Sequence, residues 1–154
     1  MRRLYKKHVR GTAKDQSIPY ERSYLCNLKN GPLKASGLPS KKIYISSFAV
    51  KHMYDKRITF EFETVLDNIH ALLKYPDRVC ENKPGSKKRG DVALIKKIHD
   101  HHFVCLLEND EKMGDISVVT VHIIKPDDVP KFKTLWVANT DIIEERAEEA
   151  VVTT

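Results

Sequence analysis

A chain of 154 residues with 41% apolar and 31% charged residues is long enough for one domain with a substantial core, and its balance is that of a soluble globular protein. It holds no apolar run approaching a membrane span, and the charged Met1-Arg2-Arg3 start leads into polar sequence rather than a signal pattern, so a cytoplasmic protein with no membrane partner is expected. Cys26, Cys80 and Cys105 are odd in number and lack a CxxC or a histidine pair at zinc spacing; they read as free thiols, not as a disulfide scaffold or a metal site.

The net charge of +6 is unevenly spread. Residues 1–42 hold eleven Lys/Arg against two acids, residues 43–140 fifteen against fourteen, and residues 141–154 one against five. This divides the chain into a basic arm and linker (1–42), a nearly neutral domain (43–137) and an acidic C-terminal tail or helix (138–154). A basic arm favours nucleic acid non-specifically through counterion release. Gly31, Pro32, Gly37 and Pro39 punctuate the arm, and a short helix or strand is expected around Tyr20–Leu28. Tyr5, Tyr20 and Tyr24 interleave with Lys and Arg, which suits either base stacking or packing of the arm on the core.

Ile43-Tyr44-Ile45 reads as a short strand, and Ser46 or Ser47 as the cap of a helix through Phe48–Arg57. His52 lies near the core-facing side of that helix, with its ring tip able to reach outward. Thr59 is positioned to cap a second helix, in which Phe62, Val65, Leu66, Ile69, Leu72 and Leu73 form one stripe at 3.6-residue spacing. His70 lies off the centre of that stripe, and Pro76 ends the helix. Arg78–Asn82, Asp91–Ile98, His102–Glu108 and Ile116–Lys125 then read as strands, with a hairpin at His99-Asp100-His101 and a longer polar loop over Asn109–Asp115. N-terminal helices packed on a four-stranded antiparallel meander make an α+β fold. Residues 126–136 add a helical turn ending at Trp136.

Between the first two of these strands, the stretch Lys83–Asp91 places Lys83, Lys87, Lys88 and Arg89 within seven residues, among the turn formers Pro84, Gly85 and Gly90. Adjacent like charges repel by roughly 1 kcal/mol even in water, so such a loop belongs in solvent or beside an anion. Thr120 and His122, two apart on a strand, share a face. Together with His52 these residues are parts for cleaving RNA without a metal. One imidazole takes the proton from a ribose 2′-hydroxyl, a second acid protonates the leaving 5′-oxygen, and Lys or Arg stabilises the charge gained in between. Each has a plainer reading: His52 as a packed helix histidine, Thr120 and His122 as members of a half-buried strand. Spacing alone leaves both open. His99, His101 and His102 read as a polar turn, and Asp127-Asp128 as the start of a helical turn, rather than as metal ligands. No phosphate-cradling glycine loop, Gly-x-Ser-x-Gly elbow or HExxH is present.

As an ordered set, IYISSFAVKHMYDKR (Ile43–Arg57), the apolar helix, YPDRV, NKPGSKKRGD, the Lys-Lys hairpin and ISVVTVHIIKP resemble the phage-associated nucleases of the barnase–EndoU–colicin–RelE (BECR) superfamily. The resemblance covers roughly residues 43–137. It implies a metal-independent endoribonuclease that leaves a 2′,3′-cyclic phosphate, needs no cofactor, and acts as a toxin or phage-derived effector. His52 is then the principal acid/base, Lys83 and Lys88 stabilise the transition state, Thr120 orients the phosphate, and His122 is a second proton-transfer group. Arg57, Lys87 and Arg89 are phosphate-binding candidates, and no carboxylate is assigned to the site. RNA is the implied partner, with the ribosome or a cognate inhibitor protein as further candidates. The alternative is a non-catalytic nucleic-acid-binding domain on the same fold.

Overall fold

The apolar stripe of residues 62–73 folds as read. Helix α4 (Thr59–Lys74) buries Phe62, Val65, Leu66, Ile69, Leu72 and Leu73 against the sheet. Thr59 does not cap it: Ile58 holds the N-cap position with no side-chain bond, and Thr59 is the first helical residue. Before it comes α3 (Ser47–Lys56), which is capped by Ser46, whose Oγ accepts from Ala49 N at 3.1 Å. The computed structural model describes residues 1–82 and 90–138. The acidic tail or helix expected at 138–154 lies, beyond Ala138, outside these residues.

The strands are β1 (Arg22–Asn27), β2 (Lys42–Ser46), β3 (Arg78–Glu81), β4 (Val92–Ile98), β5 (His101–Asp110), β6 (Asp115–Ile124) and β7 (Thr134–Val137). They form one sheet in the order β1-β2-β6-β5-β4-β3-β7. The fold is α+β, but its sheet has seven strands and is mixed, not four-stranded and antiparallel. β2 and β6 run parallel, whereas the other neighbouring pairs are antiparallel. Of the extra strands, β2 falls on the short strand expected at Ile43-Tyr44-Ile45, β1 within the Tyr20–Leu28 stretch expected as a short helix or strand, and β7 on residues read as the end of a helical turn. β1 and β2 extend the sheet from the N-terminal side. Trp136, expected at the end of a helical turn, instead sits in β7, after a 3-10 helix that stops at Lys131.

Residues 1–42 also differ from the expected arm. A helical turn (α1, Arg2–Leu4) continues as a π-helical segment (Tyr5–Val9), and a short helix α2 (Asn30–Ser36) follows β1. Met1, Leu4 and Val9 are buried in the same core as Ile69 and Leu73. These few apolar residues, diluted by Lys and Arg, make too short a stripe to be read as periodic. The charges lie outside: Glu21 receives His8 (2.8 Å), Arg3 (2.5 Å) and Lys7 (3.0 Å), and Arg2 meets Asp67. Bonds from His8, Arg3 and Lys7 pull the Glu21 carboxyl down to about 2.

The core has two parts. The larger lies between the helices and the sheet. The smaller lies on the opposite face, where Cys80, Ala93, Ile95, Val104 and Leu106 are covered by Val129 and Phe132 of the segment after β6. All three cysteines are buried free thiols, and burial raises the Cys105 thiol pKa.

Candidate active site

The site begins where β2 turns directly into α3. Ser47 is fully buried, and its hydroxyl donates to Pro19 O at 2.7 Å while accepting from Glu21 N at 2.9 Å. Its backbone N–H also donates to Glu21 O at 2.8 Å. Three bonds thus lock the approach to β1 onto the first turn of α3. They set Tyr20 edge-on to Phe48, with ring centroids 5.1 Å apart. One turn further along the helix, His52 is exposed on the same side.

A cavity of about 630 Å³ opens here. One wall is Tyr20, Ser46, Phe48, Ala49 and His52; the other is Glu108 and Asp110 of β5 with Ser117–Thr120 of β6. The second wall is shaped by a register shift. Leu106 pairs with Thr120 but Leu107 pairs with Val118, so Val119 is the extra residue of a bulge on β6. A bulge twists its strand and re-aims the neighbouring side chains.

Thr120 is held from behind. Its Oγ1 accepts from Arg57 Nη2 at 2.9 Å, and Arg57 Nε donates to Val121 O at 3.1 Å. β6 pairs with β2 only through Ile116 and Ser117, so its backbone beyond them needs other partners. Val121 N donates to Met53 Sδ at 3.3 Å, and Ile123 N to Glu61 Oε1 at 2.7 Å. The C-terminal end of α3 and the start of α4 therefore act as a substitute strand along this edge. The Arg57 side chain is only 11% exposed, with Glu61 3.8 Å away. Burial lowers its pKa and Glu61 opposes the change.

The structure brings His52 and Thr120 to one cavity. Arg57, expected to bind phosphate, is committed instead to Thr120 and the β6 backbone. His122 lies one pleat beyond Thr120, half-buried opposite Val104, and is not part of the cavity wall. Lys83, Lys87, Lys88 and Arg89 lie outside the described residues, but both flanks of their loop are fixed. Asn82 Nδ2 donates to Gly90 O at 2.9 Å, Asp91 N to Leu107 O at 2.8 Å, and Asn109 N to Asp91 Oδ2 at 2.9 Å. Gly90 has φ 145°, and a Cβ there would come within 3.1 Å of Leu106 Cβ, so the loop's C-terminal flank must be glycine. Asp91 is thereby tied to the stretch of β5 that carries Glu108.

Glu108 and Asp110 correct the reading that left the site without a carboxylate. Their two-residue spacing at the end of an apolar strand was the signal: it continues the face of Leu106. His99 and Asp100 form the hairpin turn, with φ of 50° and 66°, and His101 packs edge-on to Phe60 at 5.5 Å.

A half-open cleft carrying an imidazole, two carboxylates and a clamped threonine on an α+β scaffold suits proton-transfer chemistry on a polar substrate. The chain belongs to the family described as phage-Barnase-EndoU-ColicinE5/D-RelE like nuclease3, whose model matches residues 33–131 and thus the whole cavity wall except Tyr20. No curated protein and no solved structure matches the chain.

Proposed function

We propose that the chain is a metal-independent endoribonuclease. The observation that carries the reading is the single cavity shared by His52, Glu108 and Thr120 in a member of a nuclease family. In the proposed reaction the ribose 2′-oxygen loses its proton and bonds to the neighbouring phosphorus. The bond from phosphorus to the 5′-oxygen breaks, and that oxygen takes up a proton. The products are a 2′,3′-cyclic phosphate and a free 5′-hydroxyl.

His52 carries one of the two proton transfers. An imidazole can serve as either acid or base near neutral pH. Glu108, across the cavity, is the first choice for the other; His122 is the second, and comparison of Glu108→Gln with His122→Ala separates them. Thr120, held by Arg57, orients the phosphate. Lys83, Lys87, Lys88 and Arg89 offset the charge that builds on the phosphoryl oxygens, a role supported by their neighbour in the chain, Asp91, which bonds to β5 on either side of Glu108. A cytoplasmic toxin or phage-derived effector is the proposed setting, with the ribosome or an inhibitor protein as further partners.

The test is incubation of a long mixed-sequence RNA with excess EDTA, followed by analysis of the new ends. Fragments ending in 2′,3′-cyclic phosphate are expected from the wild type. His52→Ala is expected to lose at least about a hundredfold in rate, the usual scale of a general acid or base. Cleavage only with added metal would overturn the mechanism, and full activity of His52→Ala would overturn its role. RNA that is bound but stays intact would identify a binding domain.

A further inference from the structure

The sheet face around the cavity carries aromatic rings that the core does not use. Tyr20 and Phe48, paired at the cavity wall, are 57% and 52% exposed. Tyr24 on edge strand β1 is 49% exposed and sits edge-on to Tyr44 of β2 at 5.6 Å. Arg22, ion-paired to Asp115, lies over the Tyr44 ring at 4.2 Å and fixes it.

These residues lie in register. Tyr24 pairs with Tyr44, Tyr44 with Ser117, and Ser117 with Glu108. Ile43 and Ile45 on either side of Tyr44 point into the helix-side core, so this row runs across the opposite face. Its last two members line the cavity. The row therefore leads from an exposed edge ring straight into the candidate site. Charge favours the same occupant: residues 22–54 contain no Asp or Glu and six Lys/Arg, of which Arg22 and Lys51 are ion-paired to Asp115 and Asp55. Lys42, one pleat from Tyr44, is exposed.

Building on the nuclease reading, we propose that the substrate is unpaired RNA, drawn across this face with bases stacked on the Tyr20–Phe48 pair beside the cavity and on Tyr24 further along the row. Stacking needs a free base face, which a duplex withholds because its bases already stack on one another. Rings fixed by packing and by Arg22 offer that contact with little ordering cost. The two walls of the site then have separate tasks: His52, Glu108 and Thr120 act at the phosphate, and the rings select the strand state.

The experiment measures anisotropy of a fluorescein-labelled, uncleavable 2′-O-methyl RNA octamer, single-stranded or as a duplex, at one fixed salt concentration. The wild type is expected to bind the single strand about tenfold or more tightly than the duplex, on the scale of one stacked base. Tyr24→Leu and Phe48→Leu are each expected to lose about tenfold for the single strand. Tyr24→Phe, which keeps the ring but loses the hydroxyl bond to Asn27, is expected to bind as the wild type does. Equal binding of duplex and single strand, or an unaltered Tyr24→Leu, would overturn the proposal. The unmodified octamer separates the two readings. If it stays intact while the binding pattern holds, the nuclease reading fails and the stacking face stands. If it is cleaved while both leucine variants bind normally, the stacking face fails alone.

Discussion

Replacing Arg57 by alanine removes the clamp behind Thr120, and its cost can be worked from the contacts. Two bonds are lost, to Thr120 Oγ1 and to Val121 O, both from a largely buried guanidinium. A bond with a charged partner contributes about 1.5 kcal/mol at the lower end of its range, so the pair contributes about 3 kcal/mol. For a chain of this size that lowers the melting temperature by roughly 6–12 °C. Thr120→Val removes only the first bond and is expected to cost about half as much. Because the bond is shared, the double variant is expected to be scarcely less stable than Arg57→Ala alone, a coupling of about 1.5 kcal/mol. Urea unfolding of the four proteins measures this directly. Costs that add to within about 0.5 kcal/mol would show that the two side chains act independently and would refute the clamp. Arg57→Lys retains the charge but lacks the fork that reaches both acceptors, so it is expected to recover only part of the loss.

Acid should loosen the N-terminal helix through Glu21. Its folded pKa is depressed, so its stabilising contribution is present above the ordinary carboxylate value of 4.5 and is lost as pH falls toward about 2. Amide protection over residues 2–9, taken relative to unstructured peptide at the same pH, should fall across that window, and Glu21→Gln should flatten the response; an unchanged profile in Glu21→Gln would rule the cluster out as its cause. Lys51→Ala should cost about 3 kcal/mol or more in urea unfolding, because it strands the buried Asp55 carboxylate, which Lys51 Nζ meets at 2.7 Å while also donating to Ala13 O. A loss below about 1 kcal/mol, the scale of a surface pair, would contradict this. Native protein at pH 8 should react with a thiol reagent at Cys26, Cys80 and Cys105 only as fast as it unfolds, since all three are buried. Rapid stoichiometric labelling of any of them would show an opening absent from the structure.

What was legible in the sequence is the part governed by local periodicity. The α4 stripe, a serine cap at Ser46 or Ser47 and the four apolar strands from β3 to β6 all announce themselves over a few residues. What was not legible depends on partners far along the chain. Leu4 and Val9 count as core only because α4 and the sheet lie above them, and β7 is a strand only because β3 offers an edge. The site divides in the same way. His52 and Thr120 were selected by residue type and strand alternation. Glu108 was passed over because a single acid ending an apolar strand looks like a solvated edge until β6 and α3 are folded around it. Arg57 was read as a phosphate contact because sequence gives no sign that the edge of β6 is left open beyond Ser117 and must be completed by a side chain.

The parallel contact between β2 and β6 has a consequence for how the protein comes into being on the ribosome. Ile43 meets Ile116 across more than seventy intervening residues, and the cavity has one wall from each side of that contact. Contacts so distant in sequence form late, after the cost of closing the long loop has been met. While the chain is being made, Tyr20, Phe48 and His52 emerge well before Glu108 and Thr120, so a growing chain carries half a cleft and no cavity. The site comes into existence only when β6 leaves the exit tunnel and docks.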